Sequence, residues 1–300
     1  MPPRFAPLRT VAGFLAIPLG CVITAGWLVH SRPAWCVMWA LAGSMFVGIK
    51  VSSLIGVEWW TAKPWRLLGY LFAWPGLNAQ AFLFRLKEPA TISGREALVA
   101  AVNLGAGLTL LGWATRHAHT AGAVPVAWTG MSGIVLFCHF GVFRCLSIAW
   151  RWCGVEARPV MCNPIRATSL SEFWSHRWNT AFADAARILI LRPAAPALGL
   201  RWATLLVYLL SGLAHEVVVS VPARGGWGGP TLYFLIQGLG TTLERRFGPR
   251  AGTFIRGDQG WLWTLFWVIA PLPLLLHRPF AERVLVPLFQ WLADEIPRSI

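Results

Sequence analysis

A histidine and a glutamate lie next to each other inside one of the most apolar stretches of the chain. Trp202 to Val221 is 20 residues long, and His215 and Glu216 occupy its second half. A helix of that length crosses a bilayer core of about 30 Å, where an ionisable side chain costs on the order of 3 kcal/mol unless it has a partner or a wet cavity. Because an imidazole exchanges protons near neutral pH, the pattern indicates a reactive centre to which the chain brings a substrate. The alternative is a histidine that holds a neighbouring helix by a hydrogen bond.

The composition is that of a protein with several membrane spans. Of 300 residues, 56% are hydrophobic and 13% are charged, and the mean hydropathy is +0.56. Soluble domains carry roughly 25% charged residues. No hydrophilic stretch is long enough for a separate soluble domain. We therefore expect one integral membrane domain over residues 1–300.

The net charge of +14 comes mainly from arginines between the apolar stretches. That distribution is typical of cytoplasmic loops that meet anionic lipid headgroups, and not of a nucleic-acid-binding face. The positive-inside rule places residues 151–201, and with them the N-terminus, in the cytoplasm. The six cysteines form no Cys-x-x-Cys pair, so we expect neither a disulfide framework nor a metal site.

The apolar stretches predict an all-α bundle of about 7–9 spans. Seven are defined by hydropathy, at about 10–29, 34–57, 97–115, 126–150, 202–221, 231–243 and 260–276. Trp65 to Phe84 is also apolar, but Trp74-Pro75-Gly76 interrupts it, which predicts broken or re-entrant segments. Lys50 is expected to snorkel to the nearer interface. Residues 280–292 are amphipathic and are expected to lie on the surface.

The long segment 151–201 is the most polar part of the chain. Ser169 or Ser171, followed by Glu172, predicts a capped helix start. The aromatic cluster Phe173, Trp174 and Trp178 favours a surface helix seated at the bilayer interface. Asn179 follows the cluster and is expected to point inward.

Two motifs in this order carry a family resemblance. Phe173-Trp174-x-x-Arg177-Trp178-Asn179 precedes Ser211-Gly212-Leu213-x-His215-Glu216, and His215 lies 36 positions after Asn179. This arrangement resembles the wax-synthase-type branch of the membrane-bound O-acyltransferase superfamily, over about residues 64–246. One departure is Ser175-His176, where many relatives have a glycine and an arginine.

The resemblance implies an O-acyltransferase that moves a fatty acyl group from acyl-CoA to a lipid hydroxyl. A long-chain alcohol, giving a wax ester, is the acceptor that the branch suggests. His215 is then the general base, and Asn179 either stabilises the oxyanion or orients His215. The only partners implied are acyl-CoA as co-substrate, the lipid alcohol and membrane lipids, with no further cofactor. The oligomeric state is open.

Other polar residues have two interpretations each. Ser211 shares a face with His215 at i, i+4, which favours a local hydrogen bond over a Ser–His acyl-enzyme. Glu216 points about 100° away from His215 and is expected to pair elsewhere, with an arginine as one candidate. His139, in the span 126–150, is interpreted as structural, with a substrate-facing role as the alternative. The arginines that either bind the CoA phosphates or only set the topology are Arg166, Arg177 and Arg187.

A transporter, or a catalytically silent lipid-binding protein of the same fold, is the main alternative function. A transporter predicts several intramembrane charges and matching broken helices in two halves. The chain has one His-Glu centre and no internal repeat, which disfavours that class. A di-iron oxidase needs clustered histidines, and position 219 is Val219 rather than a second histidine. The short loops favour a bacterial inner-membrane protein.

Overall fold

The computed structural model describes residues 6–85, 88, 93–247 and 257–295. About 80% of the chain is helical, and the described residues form no strand. The prediction of an all-α architecture is confirmed. The second basic gap of the sequence, residues 245–256, lies mostly outside the described residues.

The helices follow one another with short connections. We label them α1 (Ala6–Val29), α2 (Ala34–Ser52), α3 (Pro64–Phe72), α4 (Ala79–Phe84), α5 (Gly94–Arg116), α6 (Ala123–Trp152), α7 (Leu170–Glu172, continued by a π turn over Phe173–Arg177), α8 (Thr180–Ala223), α9 (Gly229–Phe247), α10 (Asp258–Ile269), α11 (Leu272–Leu275) and α12 (Arg278–Glu295). Three further helices contain π-helical segments: α6 over Val135–Val142, α8 over Arg187–Leu191 and Glu216–Ser220, and α12 over Ala281–Leu285.

Five of these helices are long and apolar enough to cross a membrane, and the chain is a multi-pass integral membrane protein. They are α1, α2, α5, α6 and α8; a sixth span results if the bent pair α10–α12 is counted. The sixth predicted stretch, 231–243, lies within α9. This helix is present, but Gln237, Glu244 and its terminal arginines make it more polar than the others.

The polar segment 151–201 is shorter than the sequence suggested. Residues 180–201 form the beginning of α8, which runs for 44 residues and bends at Gly199, where φ is +76°. Ala181, Ala185 and Leu189 are buried there in one hydrophobic cluster. The spacing of these three residues places them on one face of the helix, so the intervening Arg187 does not prevent it from packing in the bundle.

The predicted break within residues 65–84 is confirmed. The loop between α3 and α4 holds Trp74-Pro75-Gly76, and Lys50 from α2 lies beneath it. The Lys50 ammonium donates hydrogen bonds to the carbonyls of Trp74 at 2.5 Å and Gly76 at 2.6 Å, and it stands 3.9 Å from the centre of the Tyr70 ring. The side chain is 2% exposed, so the prediction that it snorkels is wrong: the loop carbonyls and a cation–π contact satisfy it inside the fold.

The prediction that residues 280–292 lie on the surface is also wrong. Phe280, Val284, Leu285 and Phe289 of α12 are buried in the largest hydrophobic cluster. A Cβ atom on Gly130 of α6 would lie 2.1 Å from the Phe289 ring. The apolar stripe of α12 therefore packs against α6, where a glycine leaves room for it.

Candidate active site

His215 lies where α8 changes from α- to π-helix. Its Nδ1 is 2.7 Å from the carbonyl oxygen of Ser211. A carbonyl only accepts, so Nδ1 carries the proton and Nε2 keeps a free lone pair. The ring also packs on Phe234 of α9, with the two ring centres 4.5 Å apart. The imidazole is therefore held in one orientation and one tautomer, as a proton acceptor requires.

The hydroxyl of Ser211 does not contact the His215 ring by a hydrogen bond. It donates to the carbonyl of Val207 at 2.8 Å. The predicted local bond between Ser211 and His215 exists, but it uses the Ser211 backbone. This arrangement leaves the acyl-enzyme alternative without a Ser–His hydrogen bond.

Glu216 pairs with a helix end rather than with an arginine. Its Oε1 accepts a hydrogen bond from the Thr231 N–H at 3.1 Å, in the first turn of α9. A carboxylate is favourable at that position because the helix N-terminus carries a partial positive charge. The helices are close here: a Cβ atom on Gly212 would lie 2.7 Å from the Thr231 Cα. Glu216 therefore positions α9 against the helix that bears His215.

The short helix α7 begins with the predicted cap. The Ser169 hydroxyl accepts from the Glu172 N–H at 3.0 Å, and Glu172 accepts from the Thr168 N–H at 2.9 Å, which is a reciprocal cap. Arg177 donates to Glu172 at 2.6 Å. Burial alone would raise the pKa of the Glu172 carboxyl, but the Thr168 and Arg177 donors outweigh it and hold that pKa below its usual value.

The aromatic cluster of α7 points into the bundle and not toward the bilayer interface. Phe173 is buried and stacks on Trp178. Trp174 packs on Phe234 with ring centres 5.5 Å apart and is surrounded by Tyr208 and Tyr233. The expectation of a surface helix is wrong here, because Trp174 packs on α8 and α9 inside the bundle and Trp178 packs on Phe140 of α6.

Asn179 adopts a left-handed conformation, with φ at +44°. Such backbone is uncommon outside glycine, and asparagine tolerates it better than most residues. Its Oδ1 accepts from the Phe182 N–H at 3.4 Å and so caps α8, and its own N–H points to the Met161 sulfur at 3.3 Å. No hydrogen bond among the described residues joins Asn179 to His215. The two residues are connected through the rings of α7.

The helix α9 holds the two motifs together, and sequence reasoning missed its residues. Gln237 accepts from the Trp174 indole at 3.1 Å and donates to the Trp267 carbonyl at 2.6 Å. Glu244 accepts from the Leu170 N–H at 2.6 Å, at the start of α7. The signal was present in the sequence as a glutamine inside an apolar stretch, because such a residue needs partners within the bundle.

A small basic cavity of about 80 Å³ opens beside the motif segment. The residues that line it are Arg158, Cys162, Ser175, His176, Thr180, Asp184 and Arg187. Of the three arginines predicted to meet CoA phosphates, only Arg187 lines this cavity. Arg166 is exposed on a short 3-10 turn, and Arg177 is bound to Glu172 and to the carbonyls of Cys162 and Asn163.

The thiol of Cys162 in this cavity is not activated as a nucleophile, and the described residues show no metal site. Burial raises the pKa of the Cys162 thiol, and its arginine neighbours only partly offset this effect. The thiol is therefore protonated near neutral pH. Within the described ranges, no group of three or more His, Cys, Asp or Glu side chains is placed to hold a metal ion.

Known proteins match the part of the chain that contains both motifs. Residues 157–236 match the model of the Membrane bound O-acyl transferase family. The chain is 40% identical over 101 residues to a probable long-chain-alcohol O-fatty-acyltransferase 2 of Arabidopsis thaliana, covering 30% of this chain and 29% of that protein. It is 34% identical over 101 residues to a long-chain-alcohol O-fatty-acyltransferase of Simmondsia chinensis, covering 30% and 28%.

A third relative has a different acceptor in its name. An acyl-CoA–sterol O-acyltransferase 1 of Arabidopsis thaliana is 30% identical over 99 residues, covering 30% of this chain and 28% of that protein. Each alignment therefore spans less than a third of the relative's length. These relatives are plant proteins and give no support to the expectation of a bacterial inner membrane.

Proposed function

We propose that this chain is a membrane-bound O-acyltransferase of wax-synthase type, a family that it matches over residues 157–236. In this proposal it transfers a fatty acyl group from acyl-CoA to a lipid hydroxyl. A long-chain alcohol is the acceptor named for most of its relatives. The product is then a wax ester. One observation carries the proposal: an imidazole inside a membrane-spanning helix, with Nδ1 bound to the Ser211 carbonyl and Nε2 free to accept a proton.

The reaction is a transfer from sulfur to oxygen. The alcohol oxygen attacks the thioester carbonyl while His215 Nε2 removes its proton, because a hydroxyl is a poor nucleophile until it is deprotonated. The tetrahedral intermediate then expels the CoA thiolate as the C–S bond breaks, and the proton held on Nε2 passes to that thiolate. An ester and CoA are formed, and the imidazole returns to its starting state.

Asn179 has one of two roles within this proposal. Its amide either donates to the oxyanion of the intermediate or orients the substrate for His215. The Oδ1 of Asn179 is used by the α8 cap, while its Nδ2 donates none of the hydrogen bonds found among the described residues. That free donor supports the oxyanion role.

The phosphates of acyl-CoA carry charge and must remain near water. The cavity lined by Arg158, His176 and Arg187 lies beside Asn179 in sequence, at the first turns of α8. We assign Arg187 to this ligand, since an arginine pairs well with phosphate oxygens. Arg166 and Arg177 stay weaker candidates, because the first is remote from the cavity and the second is already neutralised by Glu172.

The test is a transfer assay with purified protein in nanodiscs. Radiolabelled palmitoyl-CoA and hexadecanol are supplied, and the ester is separated by thin-layer chromatography. The wild type is expected to form ester and His215→Ala to form almost none. His117→Ala is the matched control, because His117 makes the same i−4 hydrogen bond, to the Trp113 carbonyl at 2.9 Å, at the end of α5. Absence of ester with alcohols and sterols alike would favour the silent lipid-binding or transporter alternative.

A further inference from the structure

A second histidine, His139, lies in the middle of a membrane-spanning helix, and one of its ring nitrogens has no hydrogen-bond partner among the described residues. His139 is 16 residues from the beginning of α6 and 13 from its end, which is about 24 Å and 20 Å along a helix. Its Nδ1 is buried and makes no hydrogen bond with any described residue. Buried polar atoms without a partner are rare in folded proteins, and each one requires an explanation.

The helix around His139 is not a regular α-helix. Val135–Val142 is wound as π-helix, a form that inserts an extra residue per turn and occurs often at functional sites. The same change of winding occurs in α8 directly after His215. His139 therefore lies within a π segment and His215 lies directly before one.

The side of α6 that bears His139 faces the interior of the bundle. Its ring packs edge-on against Phe143, with the two centres 5.2 Å apart. Phe143 in turn packs against the cluster formed by Leu77, Val160, Ala181, Ala185 and Leu189. Three members of this cluster lie in the first turns of α8, which begins with the turn that Asn179 caps, so His139 and Phe143 share the face of α6 that adjoins this cluster.

Two further contacts connect this part of α6 to the motif segment. Phe140 packs against Trp178, with ring centres 6.4 Å apart. Arg144 donates to the Met161 carbonyl at 2.8 Å, and the Met161 sulfur receives the Asn179 N–H. The motif segment thus lies between two histidine-bearing spans: α6 contacts it through Trp178, while α8 and α9 contact it through Trp174.

We propose that His139 binds the hydroxyl of the lipid acceptor and positions it for deprotonation by His215. This inference rests on the proposed acyl transfer. A neutral imidazole offers one donor and one acceptor, and a hydroxyl complements either. His139 lies deep in the membrane, and a lipid alcohol suits this depth because a single hydroxyl is its only polar group. The charged part of acyl-CoA has no counterpart at this depth, because the basic cavity lies beside residues 158–187.

The experiment compares His139→Leu with His139→Gln in nanodiscs. Leucine removes all hydrogen bonding, whereas glutamine keeps a donor and an acceptor. We expect His139→Leu to raise KM for hexadecanol roughly tenfold, the factor that corresponds to one lost hydrogen bond. KM for palmitoyl-CoA stays near the wild-type value, and the ratio of palmitoyl-CoA hydrolysis to ester formation rises. His139→Gln recovers most of the alcohol affinity, and His117→Leu changes neither constant.

A purely structural role for His139 predicts another result. Both KM values, or kcat alone, would then change together with thermal stability, and the ratio of hydrolysis to transfer would stay constant. That outcome overturns the inference.

A binding measurement separates this inference from the proposed function. A diazirine-bearing hexadecanol labels the wild type, and the competition by hexadecanol is compared with that by hexadecane, which lacks the hydroxyl. We expect the wild type to prefer the alcohol and His139→Leu to lose that preference. If the wild type transfers no acyl group but shows this preference, the proposed function fails and the hydroxyl site stands. Equal competition by both compounds in the wild type contradicts the hydroxyl site.

Discussion

His215 and His139 both lie inside long spans next to or within a π segment, but their surroundings differ. The Nδ1 of His215 is bound to a carbonyl of its own helix, and its ring rests on Phe234. The Nδ1 of His139 is bound to no described residue. A ring fixed by its own helix is prepared to take a proton, whereas a ring with an unsatisfied buried nitrogen is prepared to receive a polar ligand. Under the two proposals, α8 therefore supplies the base and α6 positions the acceptor.

Removing His215 should have the largest effect. We expect His215→Ala to lower turnover by about 10²–10⁴, the range for a lost general base, while the protein still inserts and unfolds cooperatively. His139→Leu should retain much more activity at saturating alcohol. Turnover of His215→Ala above a tenth of wild type, measured on purified protein, would remove the distinction between the two histidines.

The next largest loss should follow removal of the Asn179 amide. Asn179→Gly is the sharper variant, because glycine accepts the left-handed backbone and costs only a few tenths of a kcal/mol at a helix cap. We expect turnover to fall by about 10²–10³ with KM for acyl-CoA near wild type. The double variant with His215→Ala should match His215→Ala alone, since residues that act on one transition state do not add.

A different result for Asn179 would move it to another role. Weakened acyl-CoA binding, with the single-turnover rate at saturation preserved, means that Asn179 positions the donor substrate. His215 would then need another oxyanion donor.

A smaller effect is expected at Gln237, which connects the motif segment to α9. Gln237→Leu leaves the half-buried Trp174 indole without its acceptor and the Trp267 carbonyl without its donor, at a cost of about 1–3 kcal/mol in the free energy of unfolding. We also expect turnover to fall severalfold, because Trp174 packs on the ring that supports His215. Thermal unfolding and ester formation are measured together. Gln290→Leu is the control, since Gln290 donates one bond of 3.3 Å to Ala118 in a different region.

The smallest effect is expected for Ser211→Ala. The hydroxyl of Ser211 is bound to the Val207 carbonyl, and the backbone that holds His215 is unchanged by the substitution. Turnover should stay within about threefold of wild type, because the substitution removes only one local hydrogen bond. A loss as large as that of His215→Ala would instead support an acyl-enzyme on Ser211.

Sequence reasoning located the helices with the strongest hydropathy but misjudged amphipathic ones. The predicted spans at residues 10–29, 97–115 and 126–150 have long apolar runs, and each lies within an observed helix. The beginning of α8 and all of α12 mix arginines and acidic residues with apolar residues. Hydropathy alone does not separate a helix that packs one face in a bundle from one that lies at an interface.

The sequence by itself determined that the protein is an all-α membrane bundle with a histidine inside one span, because composition and periodicity follow directly from residue types. It also supplied both motifs, and so the candidates His215 and Asn179. Only the tertiary structure decided how these residues are held. The tautomer of His215 depends on a carbonyl one turn away, the direction of Trp174 on a π turn, and the isolation of His139 on the absence of partners among the described helices. These three features depend on the local winding of a helix or on distances between atoms that are remote in sequence. Hydropathy and motif spacing encode neither the winding nor the distances.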